Sequence, residues 1–382
     1  MSKIIFATMP AVGHLNAPLK LAKSLAAGGH EIYYLSGFGY KTYIEDQGLR
    51  FITLGESLAA PDARSRQNAL LELLLEFRSN GQLLDDQLTH IVEIFRREVT
   101  DLVQTLKPDL FLLDPYLPDL ALIVHQLAIP FVFLNPTLFN PLVGMALLTD
   151  APYLATVPEF VLCPAEFDFP DTVARNKQRY YLGPEVDLQR KEEPFDWTRI
   201  DMSKRLIYCS LGSQAQLYPE AKRLFQIIIE ALSGLPQYQM IVATGREVGH
   251  DDFQGVPPNV HLFSYVPQSQ VLEKASLLIT HGGLLTIKDA IFFGVPMIVF
   301  PCHYDQPQNS GRVVYHGLGI KGEMRSTVSE ARALIARVDQ RDSYRERVRA
   351  FAELFRKHQE AGISVKVVEA LLGSLKKKAH AI

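Results

Sequence analysis

The sequence predicts an α/β protein of two domains, each a parallel sheet covered by helices. Three observations carry this. Short apolar runs alternate with helical patterns along both halves of the chain. The alternation lapses over the polar, poorly periodic residues 183–204, which begin at Gly183-Pro184 and hold KEEPFDW. The chain has 382 residues, too many for one ordinary hydrophobic core and suited to two of near-equal size.

The elements follow in order. KIIFAT (3–8) is a strand, and residues 15–27 form a helix stopped by Gly28-Gly29. HEIYYLS (30–36) is the next strand, 39–47 the next helix and LRFITL (49–54) a third strand. PDLFLLDPY (108–116) and PFVFLN (130–135) add two strands, with a helix from Pro118 to Leu127 between them. In the second half RLIYCSLGS (205–213) is a strand running into a turn, 219–233 a helix and QMIVATG (239–245) a strand. NVHLFSYV (259–266), SLLITHGG (276–283) and PMIVFPC (296–302) are further strands, with helices at 284–293 and 306–317. Residues 328–374 are helical. The expected domains are 1–190 and 200–360. Residues 361–382 form a helix that packs back on the first domain and a basic tail.

In open parallel sheets ligands sit beyond the carboxyl ends of the strands. Two such domains facing each other would enclose a cleft, and every functional candidate below follows a strand.

Composition removes several classes. A net charge of −3 does not favour nucleic acid, and no nucleic-acid partner is expected. Local backbone dipoles can still bind a phosphate. Cys163, Cys209 and Cys302 are far apart, without C-x-x-C spacing, and read as reduced buried thiols rather than metal ligands. MSKIIFAT lacks a signal-peptide layout, and no apolar run reaches the roughly 18 residues of a membrane span. The expectation is a cytoplasmic protein. The tail GSLKKKAHAI reads as a solvated end, with weak peripheral attraction to an acidic membrane surface as the sharper alternative.

The densest signal runs from Tyr265 to Gln306. Thr280-His281-Gly282-Gly283 ends a strand and opens a helix. Paired glycines let a ligand approach the backbone, and the first-turn N–H groups point at that spot, which favours a phosphate. His281 adds a ring N–H and Thr286 a hydroxyl. Ser210-Leu211-Gly212-Ser213 ends another strand in a second small-residue turn. Taken alone, such glycine pairs also fit simple tight turns.

The stretch resembles the donor-binding signature of the UDP-glycosyltransferase superfamily, which includes macrolide, carotenoid and plant natural-product glycosyltransferases. The pattern stands here as Tyr265, Pro267-Gln268, His281-Gly282-Gly283, Asp289, Gly294-Val295-Pro296 and Asp305-Gln306. The likeness covers most of the chain, weakly over about 55–105 and 140–200. It implies the GT-B fold, two Rossmann-like domains facing each other across a cleft. It also implies an inverting, metal-independent transfer of a hexose from a UDP- or dTDP-sugar to a hydroxyl of a small, lipophilic acceptor. The nucleotide diphosphate sugar is a co-substrate; no cofactor and no metal site are expected.

The resemblance also implies residue roles. Tyr265 stacks on the nucleobase with Gln268 beside it. His281, Thr286 and the Gly283 backbone hold the diphosphate, and Ser213 touches it. Asp289 accepts from ribose hydroxyls, and Asp305 and Gln306 grip sugar hydroxyls. Three positions depart from the family's pattern: Tyr265 replaces Trp, Asp289 replaces Glu, and Leu285 replaces Asn. Each implies an altered nucleotide preference or a weaker donor site.

His14 follows the first strand, within a G-H-x-N run that resembles the same family's N-terminus, whose His is the general base. An alcohol must lose its proton as the new bond forms, and a histidine titrating near neutrality can take it. Asp114, ending the strand LFLLD, is the candidate to orient that ring, with a helix cap as its other reading and Asp119 as the alternative acid. The apolar stretches 68–77 and 135–154 read either as core or as an acceptor pocket. Two other functions stay open: a nucleotide-sugar epimerase or hydrolase of the same architecture, and a catalytically weak nucleotide-sugar binder. Asp85-Asp86 reads as solvated helix rather than a metal site. A dinucleotide-dependent dehydrogenase is disfavoured because no G-x-G-x-x-G follows the first strand.

Overall fold

A computed structural model describes residues 1–56, 85–139, 152–218, 220–245 and 248–379. The chain divides into two compact units. The first holds Met1–Leu162, Val173–Lys191 and Gly362–Ile382; the second holds Cys163–Thr172 and Glu192–Ala361. The division at Lys191 falls inside the polar linker. Cys163–Thr172, which lies within the first half by sequence position, clusters instead with the second unit.

Among the described residues, the first unit's sheet has seven strands: β1 (Lys3–Ala7), β2 (Glu31–Ser36), β3 (Arg50–Thr53), β4 (Leu110–Leu113), β5 (Phe131–Asn135), β6 (Glu159–Val161) and β7 (Arg179–Tyr181). Their order is β3-β2-β1-β4-β5-β6-β7, and every pairing is parallel. The second unit's sheet has six: β8 (Arg205–Ser210), β9 (Tyr238–Ala243), β10 (Val260–Phe263), β11 (Leu277–Thr280), β12 (Met297–Val299) and β13 (Gly319–Lys321). Their order is β10-β9-β8-β11-β12-β13, again all parallel. Central strands buried on both faces explain the near-continuous apolar runs: Ile4–Ala7, Leu110–Leu113 and Met297–Val299 are all fully buried.

In each unit the strand order reverses direction at one place, between β1 and β4 and between β8 and β11. Loops leaving two such neighbouring strands part to opposite faces of the sheet and open a crevice at their carboxyl ends.

Several elements differ from the sequence expectation. The helix expected over 15–27 is two, Val12–Asn16 and Leu19–Ala27. Pro18 lies at the junction, where it offers no N–H and clashes with a continuing turn. The helical region 328–374 is three helices, Val328–Asp339, Asp342–Glu360 and Ile363–Ala379. The first opens with a capping box between Thr327 and Glu330. The strands β6, β7 and β13 were not expected. Within the first unit the last helix is tied down by His30 Nε2 to Glu369 Oε1 at 2.8 Å and by Ser364, whose hydroxyl donates to Glu185 Oε1 at 2.6 Å. The three cysteines are unpaired. Of the apolar stretches weighed as an acceptor pocket, 68–77 and the greater part of 135–154, residues 140–151, lie outside the described residues. Among the described residues, no helix is long and apolar enough to cross a membrane.

Candidate active site

The first cluster sits at the β1/β4 reversal. Ala7 of β1 pairs with Leu113 of β4, so the loop leaving β1 and the residue ending β4 emerge side by side. His14 lies in the short helix Val12–Asn16 just after that loop. Its Nδ1 is 2.6 Å from Asp114 Oδ2. Asp114 is itself fixed by backbone contacts. Its N–H donates to Ala7 O at 2.8 Å, and its carboxylate accepts from Met9 N at 3.2 Å and Tyr116 N at 3.0 Å. The Tyr116 ring packs edge-on against the imidazole, 5.1 Å between centroids.

The Asp114 side chain is 2% exposed and that of His14 is 19% exposed, so the acid is buried and the base reaches the surface. With Asp114 on Nδ1, that nitrogen carries the hydrogen, and Nε2 is the atom presented outward. Asp114 does not cap the following helix, because the cap position of Pro118–Gln126 is Leu117; Asp119 stands in that helix's first turn.

The second cluster sits at the β8/β11 reversal. Ser210 of β8 pairs with Thr280 of β11, which brings the turn after β8 against the one after β11. Gly212, at φ +86°, abuts the His281 ring: a Cβ there would stand 2.6 Å from Cε1. On Gly283 a Cβ would stand 2.8 Å from His281 Nε2. The imidazole is thus bracketed by two glycines, and a side chain at either place would displace the ring. Ser213, next in the β8 turn, is exposed. Gly283 is the cap of the helix Leu284–Phe293 and no side chain caps it. The first-turn amides are left for an anion. Burial pushes the His281 imidazole down to about 4, so at neutral pH it offers an uncharged N–H.

Thr286, Gln268 and Asp289 form one hydrogen-bonded group. The Thr286 hydroxyl donates to Gln268 Oε1 at 3.3 Å, and Gln268 Nε2 donates to Asp289 Oδ2 at 2.7 Å. Gln268 therefore orients the carboxylate expected to meet ribose. Tyr265 is 52% exposed, a ring open to stacking, and its hydroxyl donates to Glu192 Oε1 at 2.7 Å. Leu285, half-buried in the helix's first turn, offers no polar group.

Gln306 stands differently from its expected part in gripping sugar. It is buried, its Oε1 accepts from Cys302 N at 2.9 Å and His303 N at 3.0 Å, and its Nε2 donates to the Tyr218 hydroxyl at 3.0 Å. The side chain braces the loop before the helix Gln306–Tyr315. Asp305 Oδ2 accepts from Asn309 Nδ2 at 2.7 Å. Sequence reasoning missed Tyr218, Asn309 and Arg312. The last two belong to a stripe, Gln306, Asn309 and Arg312, of buried polar residues three apart on one helix face. That spacing was the available signal. Among the described residues, no three His, Cys, Asp or Glu side chains gather as a metal would require.

Residues 232–362 match the family described as Erythromycin biosynthesis protein CIII-like, C-terminal domain. That span contains the whole second cluster except the β8 turn, Tyr218 and the linker residue Glu192. The chain is similar to members of the UDP-glycosyltransferase superfamily. A zeaxanthin glucosyltransferase of Pantoea ananas is 24% identical, over 89% of this chain and 90% of that one. An oleandomycin glycosyltransferase of Streptomyces antibioticus is 24% identical, over 82% and 77%. Among solved structures, the glycotransferase of kitacinnamycin superposes with a TM-score of 0.76 at 22% identity, covering 97% of this chain and 98% of that one. The spinosyn rhamnosyltransferase SpnG, complexed with thymidine diphosphate, gives 0.75 at 19% identity, covering 97% and 100%. The fold is GT-B, two parallel-sheet α/β domains.

Proposed function

We propose that this glycosyltransferase moves a hexose from a UDP- or dTDP-sugar to a hydroxyl of a small lipophilic acceptor, with inversion and without a metal ion. The observation that carries the reading is the 2.6 Å contact between His14 Nδ1 and the buried Asp114 carboxylate, which leaves Nε2 as an oriented base. As the acceptor oxygen bonds to the anomeric carbon, its proton passes to Nε2, and Asp114 stabilises the resulting imidazolium. The bond from that carbon to the diphosphate breaks, and the nucleotide diphosphate leaves with the electron pair.

The donor reading rests on the second cluster. First-turn amides after Gly283, the neutral His281 N–H and small-residue turns meet the diphosphate, so the charge that a metal would otherwise balance has protein partners. Asp289 faces ribose and Tyr265 the base. A relative structure holding thymidine diphosphate supports a nucleotide diphosphate here, and the zeaxanthin and oleandomycin relatives support a small-molecule acceptor.

The test is a time course with UDP- and dTDP-glucose, with and without a panel of phenols and hydrophobic alcohols, in EDTA. Glycoside formed only when acceptor is present is the expected result. A sugar altered or released equally fast without acceptor overturns the reading in favour of an epimerase or hydrolase.

A further inference from the structure

We infer that Asn309 is a positioning residue of the donor site, aiming the Gly283 N–H and the Asp305 carboxylate, and that the Asp168–Arg312 ion pair holds it in place. The inference rests on the donor assignment made above and extends it to residues outside the recognised motif.

Asn309 is fully buried on the helix Gln306–Tyr315. Its amide nitrogen donates to two acceptors, Gly282 O at 3.0 Å and Asp305 Oδ2 at 2.7 Å. Its amide oxygen accepts from Arg312 Nη1 at 3.3 Å. Two acceptors on one side and a guanidinium on the other admit only one orientation of the amide.

The grip on Gly282 O has a stereochemical consequence. Gly282 O and Gly283 N belong to one planar trans peptide, so the carbonyl and the N–H point in opposite directions. Holding the carbonyl on Asn309 turns the Gly283 N–H the other way, out of the turn. Gly282 itself is at φ +94°, and a Cβ there would stand 2.6 Å from Val299 Cγ1. The turn has the freedom of glycine, and Asn309 removes that freedom at the peptide that matters.

Asn309 is held in turn. Arg312 Nε and Nη2 both lie 2.8 Å from Asp168 Oδ1, with both side chains buried, and the guanidinium stacks 5.0 Å above the Phe169 ring. Asp168 belongs to Cys163–Thr172, the segment that clusters with the second unit apart from its neighbours in sequence. His316 at the end of the same helix also meets this segment, its Nε2 lying 3.0 Å from Phe167 O. A buried ion pair is weak support for stability but fixes geometry well. Here it fixes the side chain that joins the phosphate turn to the Asp305 loop.

The experiment measures donor KM, acceptor KM, kcat and nucleotide diphosphate Kd for the parent, Asn309→Ala and the pair Asp168→Asn/Arg312→Gln. The paired change removes both charges of this ion pair together. The expected result is a donor KM and a nucleotide Kd raised about tenfold by Asn309→Ala, with acceptor KM unmoved. The paired change gives a smaller rise, and combining it with Asn309→Ala adds little. Folded variants with lowered melting points but parental donor KM overturn the inference, as do donor and acceptor KM values that rise in proportion. A parent that binds no nucleotide diphosphate overturns the donor assignment, and this inference with it. A parent that binds while the variants bind equally well removes this inference alone.

Discussion

Gly212 and His281 lie in the turns after different strands, yet an added methyl on the first would collide with the ring of the second at 2.6 Å. The contact follows from β8 and β11 being neighbours at the sheet's reversal, with Ser210 opposite Thr280. We predict that Gly212→Ala displaces the imidazole. The left-handed backbone alone costs about 1–2 kcal/mol, and the clash adds to it. A thermal-shift titration with UDP checks this. The parent should be stabilised by UDP and the variant should lose most of that shift while remaining folded. An equal shift in both would mean that the His281 ring takes no part in holding the diphosphate.

Burial of His281 also has a pH consequence. Its folded value of about 4 lies below the ordinary 6.5. Between those values the unfolded chain binds a proton on this ring that the folded chain does not, so stability rises with pH there. The contribution is complete above about 6.5 and declines as pH falls toward 4. His281→Gln should therefore flatten the dependence of the melting point across that window. Parallel curves for variant and parent would contradict the buried neutral ring. For the same reason the donor KM should be level between about pH 6 and 8.

Much of the site was legible because its determinants are local. The run from Thr280 to Gly283 announces a strand, a turn and a helix start within four residues. Asp114 was legible through topology, since an acid ending one central strand comes beside the loop leaving its neighbour. What stayed hidden depends on contacts distant in sequence. β6 and β7 have three residues each, and they bury Glu159 against Arg179 with Nε to Oε2 at 3.0 Å. A short strand with an inward charge has no alternating apolar pattern to read. Nothing near Asp168 announces that it meets Arg312, 144 positions later. Gln306 was assigned from its place in a motif, while its actual partners, Cys302, His303 and Tyr218, became visible only in three dimensions.

The Gln268–Asp289 hydrogen bond bears on nucleotide choice. A carboxylate held at 2.7 Å by Gln268 and one methylene shorter than Glu has less reach toward two ribose hydroxyls. We predict that Asp289→Glu raises the preference for UDP over dTDP, because only the former offers the 2′-hydroxyl. Asp289→Asn should raise the donor KM for UDP-sugar about tenfold, the loss of a charge-assisted hydrogen bond. Ratios of kcat/KM for the two donors decide the first point. An unchanged ratio in Asp289→Glu would remove Asp289 from ribose recognition.

The dyad gives the last prediction. His14 acts on the acceptor proton, so His14→Ala should lower kcat by about 10²–10⁴-fold with nucleotide binding intact. Asp114 acts through His14, holding the tautomer and stabilising the imidazolium, so Asp114→Ala should cost less. Once His14 is absent Asp114 has nothing to orient, and the double variant should be little slower than His14→Ala. Costs that multiply would mean the two residues act independently, against the 2.6 Å contact. The stereochemistry tests the same step. A single displacement driven by a base on the acceptor converts an α-linked donor into a β-linked product, whereas two displacements through a covalent intermediate restore the α linkage. Anomeric coupling constants in the proton NMR spectrum of the product distinguish them. A β product from an α donor, formed by the parent and nearly absent with His14→Ala, is the outcome that direct displacement requires.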